Sequence, residues 1–178
     1  KVVVQMYPML RADSPQERKE MRPIGRNRER YQEAMDGMPD LIRAMDDLGV
    51  WGVSSIEHHF HSEGYEVGPS IGINTGYWAG LSKRLNIGSL GYVMSVDDPI
   101  RVAEETATLD HMTKGRCFVG FARGYQSRWA NVLGQKLGSV ATLSDKSASD
   151  EHNRKIFEEQ VDIVMKAWTE DAFDYKSD

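Results

Sequence analysis

The sequence lacks the features of disulfide-bonded, membrane-spanning and nucleic-acid-binding proteins. It holds one cysteine, Cys117, so no disulfide can form within the chain, which fits a reducing compartment. Its apolar runs fall well short of the roughly 20 residues that a membrane-spanning helix needs. The first of them is broken at Pro8, too early for a signal peptide. The net charge of -5 gives no general attraction to nucleic acid or anionic membranes. We therefore expect a soluble, cytoplasmic protein that binds neither.

What the sequence does contain is an alternation of β-branched apolar runs with segments whose apolar residues recur at the spacing of one helix face. With 40% hydrophobic and 28% charged residues, its 178 residues have the composition of one globular domain. Four apolar runs are predicted to be strands: Val2–Tyr7, Val50–Ile56, Leu85–Met94 and Arg116–Ala122. Four amphipathic segments are predicted to be helices: Arg28–Leu48, Pro69–Leu81, Pro99–Lys114 and Glu151–Trp168. Strands that alternate with helices pair in parallel, because each helix is the crossover between two strands.

Four such units form either a small open sheet or half of a closed (β/α)8 barrel, which typically needs about 250 residues. The sequence ends without a further apolar element, so we expect it to stop before a barrel would close. Two connections, residues 8–27 and 123–150, exceed the roughly 2–6 residues of an ordinary βα loop. Both follow strands and so lie at the carboxyl face, where β/α proteins place their sites. They are either disordered insertions or a lid or wall of a substrate pocket.

Basic residues are concentrated in the first of these loops. The stretch Arg11–Arg30 holds seven basic residues against four acidic ones. In an otherwise acidic chain, this local surplus would help to attract an anionic ligand.

The densest set of titratable side chains follows the second predicted strand, at Glu57, His58 and His59. Imidazoles titrate near neutral pH, so they can move protons or stabilise a developing charge. Alternation along an extended chain places Glu57, His59 and His61 on one side, which leaves a metal site as an alternative. A second alternative is that the two histidines are ordinary residues whose ring nitrogens are hydrogen-bonded to neighbouring backbone. Since nothing else nearby has the spacing of metal ligands, we favour a site without metal.

The fourth predicted strand leads into Arg123 and Gly124. An arginine at a strand end, followed by a glycine that lets the backbone approach closely, suits a phosphate group, although surface arginines at strand ends are common. In the third strand, Gly88 and Gly91 mark the close approach of a ligand, a backbone distortion or simply tight packing. Cys117 has no flanking base and is predicted to pack as a small hydrophobic residue.

In their order and spacing, these segments resemble the bacterial luciferase-like flavin monooxygenases. The resemblance rests on five segments and is strongest between about Leu41 and Gly134: Glu57–Phe60, Arg84–Met94, Asp98–Glu105, Leu109–Arg116 and Phe121–Tyr125. It implies a TIM-type (β/α)8 barrel with a flavin at its carboxyl mouth. Residues 1–178 would supply about the N-terminal half of this single domain, with strands 1–4 and their helices.

The resemblance also implies roles for individual residues. His58 matches the family's catalytic histidine, near the reactive carbon of the flavin. Cofactor-binding positions of the family are matched by Glu57, Leu90, Gly91, Ala122, Arg123, Gly124 and Tyr125. Among them, Arg123 would bind the phosphate, and Leu90–Gly91 would form a non-proline cis peptide bond against the flavin ring. Ala122 stands where bacterial luciferase has a reactive cysteine, so light emission does not follow from the resemblance.

The implied activity is that of a monooxygenase. Reduced FMN, supplied by a separate flavin reductase, would react with O2 to give a peroxyflavin that oxidises a small organic substrate. Two alternatives on the same fold are a deazaflavin (F420)-dependent oxidoreductase and a non-catalytic flavin-binding or partner subunit. The presence of His58 argues against the latter. The family's remaining phosphate contacts come from the second half of the barrel, so this chain alone should bind flavin poorly. A homodimer is implied, paired through the helices near Pro69–Ser82 and Pro99–Met112.

Overall fold

A computed structural model describes residues 1–176 of the chain as a parallel sheet with helices packed on one face. The strands are β1 (Val3–Gln5), β2 (Gly52–Ser55), β3 (Asn86–Val93) and β4 (Cys117–Ala122). They are ordered β1-β2-β3-β4, and every neighbouring pair is parallel. This is the arrangement of consecutive β/α units, and it forms about half of a TIM-type barrel, as the alternation and the resemblance together predicted.

The helices account for the connections between these strands. The α-helices of the described residues are α1 (Pro15–Glu20), α2 (Arg28–Asp36), α3 (Met38–Asp47), α4 (Ile71–Leu81), α5 (Pro99–Thr113), α6 (Ser127–Leu133) and α7 (Ala148–Thr169). Short 3-10 helices lie at Ile24–Arg26 and Gly134–Leu137. Within residues 1–176, every helix falls short of the length and apolar character that crossing a lipid bilayer requires.

Two predicted helices differ from those observed. The single helix predicted over Arg28–Leu48 is divided into α2 and α3 at Gly37. Pro39 explains the break, since it has no amide hydrogen to donate to the preceding turn and stands in the first turn of α3. Helix α7 begins three residues before the predicted Glu151, because the Ser147 hydroxyl caps it by accepting from the Asp150 amide at 3.2 Å.

Both long connections are ordered, so the disordered alternative for residues 8–27 and 123–150 is wrong. The first connection contains α1 and the 3-10 helix Ile24–Arg26, and the second contains α6 and the 3-10 helix Gly134–Leu137. Leu10 and Ile24, in the first, are fully buried. Apolar anchors of this kind supply the burial that offsets the entropy of ordering a long loop.

The hydrophobic core lies between the sheet and the helices on its outer face. Val53 of β2 and Ile87 of β3 pack there against Ile42 of α3, Trp78 of α4 and Leu109 of α5. The opposite face of the sheet is uncovered at Leu90 in the middle of β3, which is 50% exposed, whereas Ser54 of β2 is buried. In a closed barrel this face is the interior, so residues at its carboxyl edge face the barrel mouth.

Candidate active site

Glu57 connects the segment after β2 to the end of β3. Its side chain is 7% exposed, and one carboxylate oxygen accepts a hydrogen bond from the Val93 amide at 2.8 Å. The other oxygen lies 3.2 Å from His59 Nε2. A buried carboxylate with two partners is well satisfied, so Glu57 holds the edge of the sheet in a fixed shape.

A second carboxyl, Asp97, lies beside Glu57 in an acidic cavity of about 330 Å³ between the sheet edge and the helices. Burial and the neighbouring charges of Glu57 and Glu105 raise the pKa of Asp97 to about 8. The Tyr92 hydroxyl donates to Glu105 at 2.8 Å in the same cavity. Asp97 therefore carries a proton at neutral pH. The neighbouring Asp98 instead caps α5, since its carboxylate accepts from the amides of Ile100 and Arg101.

His58 lies at the carboxyl edge in a group of aromatic rings. Its ring stacks on His61, with centroids 5.5 Å apart and planes 5° from parallel, and meets the edge of the Tyr125 ring at 6.3 Å. Its Nδ1 is buried and lies 2.9 Å from a carboxylate oxygen of Glu66, in an oblique contact. Burial lowers the pKa of His58, although the Glu66 charge acts in the opposite direction. The imidazole is therefore neutral at neutral pH.

His61, which the sequence analysis left without a role, belongs to this group. The proposed alternation of Glu57, His59 and His61 onto one side is wrong, because Phe60 has a left-handed backbone (φ 59°) that reverses the chain. His61 Nε2 lies 2.8 Å from Gln126 Oε1, whereas His59 remains with Glu57.

This reversal changes which residues could bind a metal. One ligand atom each from His58, His61 and Glu66 lies within 4.8 Å of the others. The two imidazole planes are nearly parallel, with ring centroids 5.5 Å apart.

The structure corrects one expectation about β3. The predicted cis peptide bond at Leu90–Gly91 is wrong, because the cis bond within residues 1–176 is Arg22–Pro23. Instead, the pairing of β3 with β4 shifts register between Leu90 and Tyr92, which makes Gly91 the extra residue of a β-bulge. The bulge accommodates Gly91 with a trans bond. A Cβ on Gly91 would lie 2.7 Å from the Ala122 Cβ, so the close approach of β4 requires glycine there.

Arg123, the predicted phosphate ligand, is directed toward the start of α7. Its Nε donates to Asn153 Oδ1 at 3.1 Å, and its Nη2 donates to the Asp150 carboxylate. Burial alone would raise the pKa of Asp150, but hydrogen bonds from the Ser144 amide and Arg123 keep it below the usual range. The paired atoms form one edge of the guanidinium, and Nη1 has no hydrogen-bond partner within residues 1–176.

The turn after Arg123 brings the β4 end to His58. Gly124 has φ 71°, and a Cβ there would lie 2.6 Å from Val93 Cγ1, so a side chain cannot fit. Tyr125 is 67% exposed at the mouth. Trp129 is buried beneath the two neighbouring histidines, 6.2 Å from the His58 ring and 5.3 Å from the His59 ring between centroids.

The loop that carries the histidines is bound to the first long loop through main-chain hydrogen bonds. Leu10 donates to Gly64 O at 2.8 Å, and Ile24 donates to Ser62 O at 2.9 Å. Val67 in turn donates to Pro8 O at 2.8 Å. The histidine loop (residues 58–68) and the first loop (residues 8–27) therefore form one packed wall of the mouth.

The predicted site residues thus fall into three groups. The structure brings His58 to Tyr125, and Gly91 to Ala122, while Glu57 supports the edge between them. Arg123 lies apart, since its side chain pairs with Asp150 and Asn153 of α7. Sequence reasoning missed the supporting residues Glu66, Asp97, Gln126, Trp129, Asp150 and Asn153. Among these, only Asp150 had a visible signal, since it stands three residues after the helix-capping Ser147.

Comparison with known proteins gives the same family from sequence. A family model described as luciferase-like monooxygenase matches residues 20–178. The alkanal monooxygenase alpha chain of Photorhabdus luminescens is 31% identical over 113 residues, which cover 64% of this chain and 31% of that protein. A beta chain from the same organism is 31% identical over 132 residues, or 74% of this chain and 36% of that protein. The aligned segments are about a third of the length of these curated relatives.

Solved structures show the same fold at lower identity. Monooxygenase RslO1 from Streptomyces bottropensis aligns with a TM-score of 0.73 and 18% identity, over 100% of this chain and 46% of that one. The oxygenating constituent of 3,6-diketocamphane monooxygenase from Pseudomonas putida, a type II Baeyer-Villiger monooxygenase in complex with FMN, aligns with a TM-score of 0.74 and 15% identity. That alignment covers 99% of this chain and 42% of the other, so this chain spans less than half of each solved protein.

Proposed function

The chain belongs to the luciferase-like monooxygenase family, and we propose that it forms the flavin-facing half of an FMN-dependent monooxygenase in which His58 is the catalytic residue. The observation that carries this proposal is the state of His58. It is a neutral imidazole at the carboxyl mouth of the sheet, with Nδ1 against Glu66 and no hydrogen-bond partner for Nε2 within residues 1–176. An imidazole in this state can accept a proton and return it near neutral pH.

The residues at the mouth fit a flavin. Leu90 is half exposed on the uncovered face of the sheet, beside the small residues Gly91 and Ala122, so a flat ring can lie against them. Arg123 offers a charged Nη1 for a phosphate. Tyr125 can cover the ring from the side of His58. When bound, reduced FMN supplies the electrons that activate O2. We further propose that a separate reductase supplies the reduced flavin.

The chain's own residues position the reaction and manage its protons. Glu57 holds the end of β3 against the segment that carries His58. Trp129 fills the space beneath His58 and His59 and keeps water from that side. With its Nδ1 turned to Glu66, His58 has Nε2 available to exchange a proton with the oxygenated substrate.

The substrate wall is formed by the first loop and the histidine loop. Tyr7, Met9 and Tyr65 line an open cavity of about 490 Å³ next to His61. These three side chains are between 42% and 56% exposed and line one cavity, so together they offer an apolar patch that a ligand can cover. We therefore propose a small organic substrate with an apolar body.

The proposal also includes a homodimer that pairs through α4 and α5. Ile73, Tyr77 and Met112 are exposed on these helices. An adjacent groove between the helices is lined by Gly76 and Met112 together with the charged residues Arg101, Glu104 and Glu105. An apolar patch beside charged groups of this kind is typical of a protein interface, with an apolar centre and a polar rim.

The experiment that tests the function compares His58→Ala with the wild type in a complete barrel, since the chain spans less than half of its solved relatives. Turnover should fall by about 10²- to 10⁴-fold, whereas the FMN affinity should stay within about twofold. His152→Ala, at an exposed position of α7, is the matched control. Undiminished turnover in His58→Ala would remove the catalytic role. Failure of the wild type to bind FMN in either redox state would remove the cofactor and favour a deazaflavin or a non-catalytic role.

A further inference from the structure

We propose that Glu66 is the positioning residue of His58, in that its carboxylate accepts a hydrogen bond from Nδ1–H and so leaves Nε2 as the atom that exchanges protons during the reaction. This inference rests on the proposed catalytic role of His58. It assigns the orientation of the His58 imidazole to the carboxylate of Glu66, which lies eight positions further along the chain in the same loop. Four features of the histidine loop support it: the contact, the backbone, the support of the carboxylate and the chemistry of its oxygens.

The contact itself is close and unshared at the nitrogen. One carboxylate oxygen of Glu66 lies 2.9 Å from His58 Nδ1, which is buried and makes no well-aligned hydrogen bond. The contact is therefore an oblique one, between an imidazole nitrogen and a carboxylate oxygen at hydrogen-bond distance. A buried ring nitrogen needs such a partner, because leaving it unpaired costs more than a hydrogen bond contributes.

The backbone is shaped to make this contact. Glu66 has φ 50°, in the left-handed region that residues other than glycine seldom adopt. Two residues later, Gly68 O accepts a hydrogen bond from the His58 amide at 3.1 Å, which closes the loop. Such backbone strain persists where the surrounding structure enforces it, and it is concentrated at functional sites.

The carboxylate is itself held in place by a residue from another element. Gln126 Nε2, just before α6, donates to the same Glu66 oxygen at 3.2 Å. The amide oxygen of Gln126 accepts from Trp129 Nε1 at 2.9 Å and lies 2.8 Å from His61 Nε2. This chain of contacts fixes which way the Gln126 amide points, and the amide in turn fixes Glu66.

The chemistry of the carboxylate then sets the tautomer of His58. An ionised carboxylate can only accept hydrogen bonds, so the neutral imidazole beside it carries its proton on Nδ1. The lone pair is thereby left on Nε2. The titratable groups that act on His58 are Glu66, His61 and Glu57, and the Tyr125 ring meets it from the β4 side. The Glu66 charge raises the pKa of His58 against the lowering effect of burial, which keeps Nε2 basic.

The test uses Glu66→Gln in the complete barrel. The amide preserves shape but can donate to Nδ1, so the tautomer is no longer fixed. We expect turnover to fall at least about tenfold, with FMN affinity within about twofold of wild type. The acid limb of the pH–rate profile should move to lower pH, because the negative charge that raises the His58 pKa is gone. The same substitution in a His58→Ala background should add no further loss, since both act through one imidazole.

Two measurements separate this inference from the function on which it rests. Histidine ¹⁵N spectra report the His58 tautomer without any turnover: we expect Nδ1–H in the wild type and a shift toward Nε2–H in Glu66→Gln. Glu20→Gln, which removes an exposed carboxylate of the first loop that accepts from Gln16 rather than contacting a histidine, should change neither the tautomer nor the acid limb. An unchanged tautomer in Glu66→Gln, or a loss that persists without His58, would overturn the positioning role. A wild type that binds no flavin would overturn the function and leave the tautomer result to decide this inference.

Discussion

The guanidinium of Arg123 and the carboxylate of Asp150 are paired across the long connection between β4 and α7. Asp150 is almost fully buried and also accepts from the Ser144 amide at 3.2 Å. One turn further along α7, Asn153 Oδ1 accepts a hydrogen bond from Arg123 Nε, and Asn153 Nδ2 donates to Val140 O at 2.6 Å. The start of α7 therefore holds both the arginine and the loop that leads to the helix, and it aims the remaining guanidinium edge in a fixed direction.

This arrangement predicts that Arg123 distinguishes FMN from riboflavin. Arg123→Ala should weaken FMN binding by roughly 10- to 150-fold, the loss of about 1.5–3 kcal/mol from one charge-assisted phosphate contact. Riboflavin, which lacks the phosphate, should bind with nearly unchanged affinity. Fluorescence titration of both flavins would measure this, with the surface variant Arg43→Ala as control. Equal losses for the two flavins would show that Arg123 supports the fold rather than the phosphate.

Asp97 predicts a pH-dependent stability. Because its pKa is raised in the folded protein to about 8, the folded state binds a proton that the unfolded state releases above about pH 4. Its contribution to stability is complete below the unfolded-state pKa and is lost as the pH rises toward 8, with a slope of up to about 1.4 kcal/mol per pH unit. Asp97→Asn, which resembles the neutral acid, should flatten this decline.

Urea unfolding at pH 6, 7 and 8 would measure the effect on Asp97→Asn. Asp47→Asn, at an exposed carboxyl, should keep the wild-type slope. If Asp97→Asn kept that slope as well, the proton would reside elsewhere in the cavity that Glu57 and Glu105 share with Asp97.

The strands and most helices follow from the sequence because they depend on local apolar periodicity. Each predicted strand contains the observed one, and the break at Pro39 was readable from proline's missing amide hydrogen. The contact between Glu66 and His58 was not predictable in this way. It depends on left-handed backbone conformations at Phe60 and Glu66, which cannot be predicted from residue types that seldom adopt them. It also depends on Gln126, which lies 60 residues from Glu66 in the chain.

Two further sites illustrate the same limit. Glycine at position 91 indicated that a backbone distortion was one alternative, but the β-bulge itself depends on the packing of β4, which a strand read in isolation does not show. The direction of Arg123 was likewise set by Asp150 and Asn153, which lie beyond a loop of irregular structure. Local patterns identified which residues reach the mouth, whereas their orientations are determined by tertiary contacts.

The exposed face of α4 and α5 predicts an effect on oligomeric state. Ile73 is 75% exposed, so a charge there should not disturb the fold of the chain but should prevent a partner from covering it. Ile73→Glu should convert the dimer to a monomer in light-scattering measurements. Leu48→Glu, equally exposed at the end of α3, should leave the mass unchanged. A dimer that survives Ile73→Glu would place the interface elsewhere.

The contact between the first loop and the histidine loop predicts a strict requirement at Gly64. Its backbone has φ 75°, and a Cβ there would lie 2.2 Å from Ile24 Cγ2. Gly64→Ala should therefore destabilise the fold by more than about 1 kcal/mol, measured as a lower midpoint of urea unfolding. Gly25→Ala, next to Ile24 but with open space around the new methyl group, should have little effect. Comparable midpoints for the two variants would show that the loops adjust independently.

The three main-chain hydrogen bonds between residues 8–27 and the histidine loop also bear on how substrate range can change. Lengthening or shortening the first loop should displace the segment that carries His58, so in the proposed enzyme a new substrate wall would also change proton transfer at that residue. During divergence, insertions in one loop would be retained only with matching changes in the other. An engineer who transplants residues 8–27 from a relative should transplant residues 58–68 with them.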